Sequence, residues 1–247
     1  MIIHSYENGP RADACIDYLR RCPLADSVEE IVLLPIPTTR DNVTVLNTKV
    51  SINDVLEALD QETVVSGYGL PCLFVNGAEA RGAALVDLSL DEEFLSENAE
   101  LTALAALGIL LNSTTSSLRD MSVGIVGYGR IGRRLTNMLL YLGTRVRVYT
   151  TRPDLRLDLC EYGVATAASA ADADLRGLDV LINTAPAAIF SPESVPHGLR
   201  IMELASGDNF VGIGGVERYP SIPAKMFPKS AGRAWGRAIE RFLKQNI

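Results

Sequence analysis

Three glycines spaced as Gly-x-Gly-x-x-Gly follow an apolar run at 121–126 and precede an amphipathic run that continues to Leu140. In this setting the first glycine permits a tight turn, the second lets the backbone approach a pyrophosphate, and the third lets the helix press on the sheet. The positive end of the helix would bind the diphosphate through backbone N–H groups. The pattern predicts a dinucleotide-binding turn made of Gly127, Tyr128, Gly129, Arg130, Ile131 and Gly132. The alternative is a fold of this kind that has lost its ligand.

The residues after the next apolar strand bear on which dinucleotide is bound. In NAD-binding proteins an acidic residue about 20 positions beyond the glycines holds the ribose 2′-hydroxyl. Here the strand ends in Thr150, Thr151 and Arg152. Hydroxyls and a guanidinium suit a 2′-phosphate, and Arg130 could add a second positive contact. We therefore expect NADP, with NAD possible: in the alternative interpretation Arg152 is solvated and Asp154 faces the ribose.

Two further apolar runs end in small polar residues, and ligands of open α/β sheets bind beyond the carboxyl ends of the strands. The first run ends at Asn183, Thr184, Ala185 and Pro186, and the second at Ala205 and Ser206. We expect the first segment to face the nicotinamide ribose of the cofactor, and Ser206 in the second to approach the nicotinamide or the substrate. The alternative for the first segment is an ordinary Asx or Ser/Thr turn before a proline. Asp208, just beyond the second, is expected either to approach the nicotinamide or to stabilise its turn.

Strand and helix patterns alternate along the chain, which favours parallel pairing of the strands. Strands are predicted at 122–127, 145–150, 163–166, 179–183 and 199–205, which gives a doubly wound Rossmann-type parallel sheet. Earlier strands at 2–3, 30–35 and 62–66 indicate a smaller N-terminal α/β domain. The predicted fold class is therefore α/β, with an N-terminal domain at 1–96 and a dinucleotide-binding domain at 97–228.

Helix patterns add detail to this division. A capping-box pattern at Ser89 and Glu92 predicts a short acidic helix ending near Ser96, followed by a separate apolar helix over 98–112. An amphipathic pattern at 229–247 predicts a terminal helix, which we expect to pack on the N-terminal domain.

The composition excludes several classes of partner. A net charge of −7 at pH 7 argues against nucleic acid, whose phosphates need a concentrated basic surface. The four cysteines show no Cys-x-x-Cys spacing, so no metal site is expected. The start of the sequence lacks the pattern of a signal peptide, and the longest apolar run, 103–111, is far shorter than a membrane span. We expect a cytoplasmic protein that does not bind a membrane.

Several segments together resemble the dipicolinate synthase family, and within it the subunit that carries the dinucleotide domain. They are Asp91–Phe94, the glycine turn, Ile182–Pro186, Glu203–Ser206 and Pro220–Gly232, and the resemblance covers residues 62–245. The resemblance implies an N-terminal α/β domain, a nicotinamide-dinucleotide domain and a role in sporulation. It also implies a homo-oligomer that works with a flavoprotein-like second subunit. The implied reaction is the dehydration and oxidation of a hydroxy-tetrahydrodipicolinate to the aromatic diacid.

A substrate with two carboxylates calls for cations, hydroxyls and backbone N–H groups. The residues that follow the N-terminal strands offer such groups, and Lys225 lies on a segment that returns toward them. The candidate catalytic and substrate-binding residues are Thr38, Thr39, Arg40, Ser66 and Lys225. A residue of this kind, taken alone, is more often a solvated residue or a turn element than a functional one, and it is their convergence at strand ends that favours a site.

Two other functions remain open from the sequence. A 2-hydroxy acid dehydrogenase has a similar plan but needs a histidine acid/base. Of the two histidines, His4 lies at the N-terminus, and His197 is expected at the amino edge of the sheet. Neither suits that role, so we rank this reaction below ring oxidation. The third possibility is a non-catalytic NADP-binding subunit.

Overall fold

The computed structural model describes residues 1–161, 164–167, 174–187, 190–207 and 209–246. The chain divides into two compact units, which we call unit 1 (Met1–Asn98 and Pro223–Ile247) and unit 2 (Ala99–Ile222). The predicted domains, 1–96 and 97–228, differ from these units by a few residues at each boundary. Because the C-terminal segment belongs to unit 1, this unit is built from two stretches of chain.

Unit 1 contains a four-stranded parallel sheet. Its strands are β1 (Ile2–Ser5), β2 (Glu30–Leu33), β3 (Thr63–Gly67) and β4 (Ala84–Asp87), and they pair in that order. All five residues of the inner strand β3 are buried, as is typical of a parallel strand covered on both faces. Since the strands are parallel, their carboxyl ends lie at one edge of the sheet.

Unit 2 contains a six-stranded parallel sheet. Its strands are β5 (Ser122–Val126), β6 (Arg145–Tyr149), β7 (Ala165–Ala167), β8 (Val180–Asn183), β9 (Arg200–Glu203) and β10 (Val216–Arg218). Their order is β10-β9-β8-β5-β6-β7, so the chain builds outward from β5 in both directions. This is the doubly wound order that the sequence predicts, and its ligand crevice lies where the direction reverses, beside β5.

The described residues form helices that connect these strands or extend from them. They are α1 (Pro10–Leu19), α2 (Ile52–Glu57), α3 (Cys72–Ala80), α4 (Glu92–Ser113), α5 (Arg130–Tyr141), α6 (Pro153–Glu161), α7 (Ile222–Met226) and α8 (Pro228–Asn246). The predicted α/β fold class is thus confirmed, with parallel sheets flanked by helices.

Helix α8 packs closely on α1 within unit 1. A Cβ atom added to Gly232 would lie 2.2 Å from the carbonyl oxygen of Arg11, and one added to Gly236 would lie 2.5 Å from a ring carbon of Tyr18. Between these glycines, Trp235 is fully buried. The absence of side chains at the two glycines therefore sets the distance between the helices.

Helix α4 corrects one prediction. The sequence predicts two helices, one ending near Ser96 and another over 98–112, but the structure has a single helix, Glu92–Ser113. Asp91 begins it, since its Oδ1 accepts a hydrogen bond from the Phe94 N–H at 2.8 Å. Among the described residues, α4 is also the one helix long and apolar enough to cross a membrane by length and composition. That is weak evidence, because core helices of soluble proteins pass the same test.

Candidate dinucleotide-binding site

The glycine turn links β5 to α5 at the centre of the unit 2 sheet. Gly127 has a φ of +86°, which favours glycine, and its N–H donates to the Tyr149 carbonyl at 2.9 Å. Gly129 is extended and immediately precedes the helix, without a side-chain cap. The turn thus carries the chain from the strand directly into the N-terminus of α5.

The second and third glycines of the motif have different surroundings. A Cβ atom at Gly132 would lie 2.1 Å from the Gly127 carbonyl oxygen, so only glycine permits this approach of helix and turn. A Cβ atom at Gly129 would meet no atom within 4 Å. Space therefore lies open at the position where a pyrophosphate must approach the backbone, and this fits a bound dinucleotide.

Helix α5 begins with basic residues, and no acidic residue lies in its first turn. The Arg133 guanidinium lies 5.4 Å from the centre of the Tyr128 ring, and Arg134 donates to the Arg130 carbonyl at 3.1 Å. Ile131 is partly buried. Because a helix N-terminus also carries partial positive charge, the local field favours an anion such as a diphosphate.

The segment after β6 contains the residues predicted to select the nucleotide. Arg152 and Asp154 are both exposed and form an ion pair, with 2.7 Å between Nη2 and Oδ2. The hydrogen bond from Arg152 holds the pKa of Asp154 below its ordinary value. Arg156 donates to the Thr150 carbonyl at 3.1 Å, and Thr151 is exposed. A 2′-phosphate at this edge would compete with Asp154 for Arg152.

Asn183, at the end of β8, is buried rather than open to the crevice, with 1% of its surface exposed. Its Nδ2 donates to the Glu203 carboxylate at 2.9 and 3.2 Å and to the Ala185 carbonyl at 2.9 Å. Its Oδ1 accepts from the Ala185 N–H at 3.1 Å. The side chain therefore shapes the turn that precedes Pro186, which is exposed.

Thr184 connects the same turn to the glycine motif. Its hydroxyl donates to the Val126 carbonyl at 2.8 Å and lies 3.3 Å from the Gly127 carbonyl. This bond fixes the loop after β8 against the turn after β5. Of the predicted residues in this segment, Thr184 thus orients the glycine turn, while Ala185 contributes its backbone.

Glu203, at the end of β9, is a residue to which the sequence analysis gives no role of its own. It is 3% exposed and accepts from the Ala205 N–H at 2.9 Å. Burial raises the pKa of its carboxyl, although hydrogen bonds from Ala205, Asn209 and Asn183 favour the charged form. Ser206 is exposed next to this turn. Asp208 lies outside the described residues.

Two of the candidates in unit 1 are fully buried and bonded within the protein. The Thr38 hydroxyl accepts from the Tyr68 N–H at 2.9 Å. The Ser66 hydroxyl accepts from the Trp235 indole at 2.8 Å. Since neither residue has exposed surface, these contacts favour a role in positioning their turns.

The other unit 1 candidates are accessible. Arg40 is exposed, and its guanidinium has no ion-pair partner within the described residues. Asp41 holds the same loop, because its Oδ1 accepts from the Thr39 hydroxyl and from backbone N–H groups at 2.8 to 2.9 Å. Lys225 lies exposed on α7. Arg40 is thus the cation best placed on a fixed loop to meet a carboxylate.

Histidine and metal chemistry gain no support from the described residues. His197 precedes β9, at the amino edge of the sheet, and His4 pairs with Glu30 in unit 1, at 3.2 Å between nitrogen and oxygen. Neither histidine lies at the carboxyl edge of unit 2, as expected. Within the part of the chain that the structure describes, no three His, Cys, Asp or Glu side chains are grouped to hold a metal ion.

The fold, the glycine turn and a family match together define a nicotinamide-dinucleotide-binding domain of the dehydrogenase type. Residues 110–190 match the family described as D-isomer specific 2-hydroxyacid dehydrogenase, NAD binding domain. No curated protein gives a significant match. The match covers β5, the glycine turn and β8, and it ends before β9.

Solved structures of two dipicolinate synthase subunits share the fold. The subunit from Bacillus halodurans has a TM-score of 0.74 and 21% identity, covering 98% of this chain and 96% of that one. The corresponding subunit from Bacillus subtilis has a TM-score of 0.74 and 17% identity, covering 99% and 95%. The apo D-lactate dehydrogenase from Escherichia coli has a TM-score of 0.63 and 13% identity, covering 100% and 97%. The predicted resemblance to this dipicolinate synthase subunit is therefore confirmed at the level of the fold.

Proposed function

We propose that this protein is an NADP-dependent oxidoreductase that acts on a cyclic dicarboxylate of the dihydrodipicolinate pathway. The observation that carries the proposal is the open backbone at Gly129, directly before the basic N-terminus of α5. A match to a dehydrogenase NAD-binding family and the fold shared with dipicolinate synthase support it. When bound, the nicotinamide ring would accept or donate a hydride, and the chain's own residues would bind, orient and shield the reactants.

The preference for NADP over NAD rests on the charge beyond β6. Arg152 and Arg156 lie on this segment, and the two threonines before them add hydroxyl groups. The single acidic neighbour, Asp154, is already paired with Arg152. A 2′-phosphate would exchange this surface ion pair for a charge-assisted contact with phosphate, which Arg binds well. NAD would instead require Asp154 to turn toward the ribose.

The dicarboxylate proposal assigns substrate binding to the exposed cations of unit 1. Arg40 stands on a loop that Asp41 holds in shape, and Lys225 offers a second charge. In the proposed reaction the hydroxy-tetrahydrodipicolinate would lose water, and its ring would then give up one hydride, for which a bound nicotinamide would be the acceptor, and one proton to solvent. Aromatisation of the ring supplies driving force, so the demand for a dedicated acid/base side chain is lighter than in alcohol oxidation.

The biological setting follows from the same proposal. We infer a soluble cytoplasmic homo-oligomer that acts in sporulation with a flavoprotein-like second subunit. Co-purification of the chain from sporulating cells with a second subunit would support this setting. Recovery of the chain alone under the same conditions would argue against the partner.

Calorimetric titration of the purified protein with NADP and NAD, with and without dipicolinate, tests the proposed function. We expect NADP to bind at least about tenfold tighter than NAD, a difference of about 1.4 kcal/mol, and dipicolinate to tighten it further. Arg40→Gln should remove the effect of dipicolinate and leave NADP affinity unchanged. If neither nucleotide binds, the oxidoreductase proposal fails.

A variant of Asp154 tests nucleotide choice separately. Asp154→Asn frees the Arg152 guanidinium, so we expect NADP affinity to rise about threefold, a size typical of a surface ion pair. NAD affinity should not rise. Asp158→Asn, an exposed position on the same helix, is the matched control. A loss of NAD affinity in Asp154→Asn would instead favour the interpretation in which Asp154 faces an unphosphorylated ribose.

A non-catalytic NADP-binding subunit is the second candidate. It is favoured by the position of both histidines away from the carboxyl edge of unit 2. In that case the protein would bind NADP with the expected preference but oxidise neither a dihydrodipicolinate-type substrate nor a 2-hydroxy acid. Turnover of D-lactate or a related hydroxy acid would instead support the dehydrogenase alternative.

A further inference from the structure

The end of β9 holds a carboxylate that the proposed function does not use. Glu203 is almost fully buried, and the pairing of β9 with β8 places it directly beside Asn183. It accepts from Asn183 at 2.9 and 3.2 Å and from the Ala205 N–H at 2.9 Å. The Asn209 side chain holds the same loop, since its Nδ2 donates to the Ser206 carbonyl at 3.2 Å. One side chain thus joins the loop after β8 to the loop after β9.

The network continues to the glycine turn. The Asn183 side chain also donates to the Ala185 carbonyl at 2.9 Å and accepts from the Ala185 N–H at 3.1 Å. Thr184, between them, donates to the Val126 carbonyl at 2.8 Å. Through these bonds the carboxylate fixes the shape of both loops relative to the turn after β5.

The order of the strands indicates which half of the ligand these loops serve. In doubly wound sheets the dinucleotide lies across the point where the strand order reverses, with one half on each side. Here β6 and β7 lie on one side of β5, and β8, β9 and β10 on the other. The proposed 2′-phosphate contacts follow β6, so the adenosine half occupies that side and the nicotinamide half faces the loops after β8 and β9.

We propose that Glu203 is a positioning residue for the nicotinamide half of the dinucleotide. It acts by holding the Asn183–Ala185 and Glu203–Ser206 turns in the shape that receives the nicotinamide ribose. The inference rests on the proposed function, since it assumes that unit 2 binds a nicotinamide dinucleotide. It also explains why Asn183, which the sequence predicts as a direct contact, is buried: its amide links the carboxylate to the loop.

The chemistry of the network favours a carboxylate at this position. The neighbours on Asn183 and Ala205 are donors, and an ionised carboxylate is a side chain that only accepts. A glutamine would turn an NH2 group toward one of these donors. Replacing the carboxylate by an amide would therefore disturb the turns while leaving the volume of the side chain unchanged.

The test compares a full dinucleotide with its adenosine half in wild-type protein, Glu203→Gln and the matched control Glu217→Gln. Glu217 also lies in this sheet, in β10, where it pairs with Arg200 at 2.7 Å. For Glu203→Gln we expect the Kd for NADPH to rise about tenfold, as for a lost hydrogen bond to a charged group. The Kd for 2′,5′-ADP and both values for Glu217→Gln should stay at the wild-type level.

Two further readouts separate positioning from general loss of structure. NADPH fluorescence should change in emission maximum or intensity when bound to Glu203→Gln, because it reports the surroundings of the nicotinamide ring. The double variant Asn183→Asp with Glu203→Gln reverses donor and acceptor between the two side chains but removes the donor to the Ala185 carbonyl, so it should recover part of the NADPH affinity. If Glu203→Gln does not fold, Glu203→Asp, which keeps the charge but shortens its reach, should show the same selective loss.

Three results would overturn the inference. The first is NADPH affinity in Glu203→Gln and Glu203→Asp that equals that of wild type. The second is an equal loss of affinity for NADPH and for 2′,5′-ADP in these variants. The third is an equal loss of NADPH affinity in Glu203→Gln and Glu217→Gln. Failure of the proposed function is a different result, in which the wild-type protein itself binds neither NADPH nor 2′,5′-ADP.

Discussion

Gly129 and Gly132 belong to one motif, yet the structure separates what each contributes. At Gly132 any side chain would collide with the backbone of the turn, whereas at Gly129 a methyl group would point into open space. The φ of Gly129, −82°, is accessible to any residue. Gly132 therefore serves the fold of the protein, whereas Gly129 leaves space for the proposed ligand.

Gly129→Ala should leave stability almost unchanged and weaken nucleotide binding. Its methyl group occupies the space needed by the diphosphate, so we expect the Kd for NADP to rise by at least about tenfold, or 1.4 kcal/mol. Calorimetry gives the Kd and urea unfolding gives the stability. Gly132→Ala is the contrast: its clash with backbone should cost about 3 kcal/mol or more of unfolding free energy. Normal NADP affinity in Gly129→Ala would show that the diphosphate does not approach this residue.

The pKa of Glu203 predicts a pH dependence of stability. Burial raises this pKa above the ordinary glutamate value of about 4.3, so the folded state holds the proton to higher pH than the unfolded state. The stability of wild type relative to Glu203→Gln should therefore be greatest below the ordinary glutamate value and fall as the pH rises above it. Urea unfolding at a series of pH values measures the difference. A relative stability that increases with pH would mean that the hydrogen bonds outweigh burial and lower the pKa.

For single residues, the sequence predicts which ones lie near the candidate site better than it predicts the contacts that each of them makes. The glycine turn can be recognised because its requirements are local. The role of Asn183 cannot, because its partner Glu203 is 20 residues away and meets it through strand register. The same holds for Ser66, whose hydroxyl is used by Trp235, far along the chain.

The α1–α8 pair shows how glycines set the packing of whole elements. In Gly232→Ala the new methyl group would meet the backbone of α1, which has no flexible group to move aside. We expect a loss of about 2 to 4 kcal/mol of unfolding free energy, because the two helices must separate. Ser230→Ala, exposed on the same helix, should change stability by less than about 0.5 kcal/mol. Urea unfolding followed by Trp235 fluorescence makes the comparison, and equal stabilities would show that the helices can shift without loss.

Elements with strong periodicity are predicted well, and elements formed by long-range contacts are not. Helices α5 and α8 carry clear amphipathic patterns and lie close to where the sequence predicts them. The short edge strands β4 and β10 are absent from the sequence prediction, because each has only three or four residues and gains its hydrogen bonds from a neighbouring strand. Helix α4 is split in the prediction because a capping-box pattern lies at its start, where Asp91 is the actual cap.

For the molecule as a whole, nucleotide binding should appear as thermal stability. A ligand that binds only the folded state at 100 times its Kd adds about 2.7 kcal/mol. NADP at that concentration should therefore raise the Tm measured by scanning calorimetry, and NAD at the same concentration should raise it less. The Gly129→Ala protein at the same NADP concentration is the control: with a Kd about tenfold higher it should gain only about 1.4 kcal/mol, so its Tm should rise about half as much as that of wild type. A wild-type Tm that does not respond to NADP would contradict the proposed cofactor.

The packing of α8 on α1 has a consequence for synthesis on the ribosome. Tyr18 and Glu240, which bond across this pair, are 222 positions apart, so α1 is made long before its partner. Unit 2 is a continuous stretch and can complete its sheet while unit 1 still lacks α8. The single tryptophan of the chain, Trp235, lies in that last helix. Its burial therefore reports the completion of unit 1, and nascent chains that end before α8 should leave the apolar face of α1 open to chaperones.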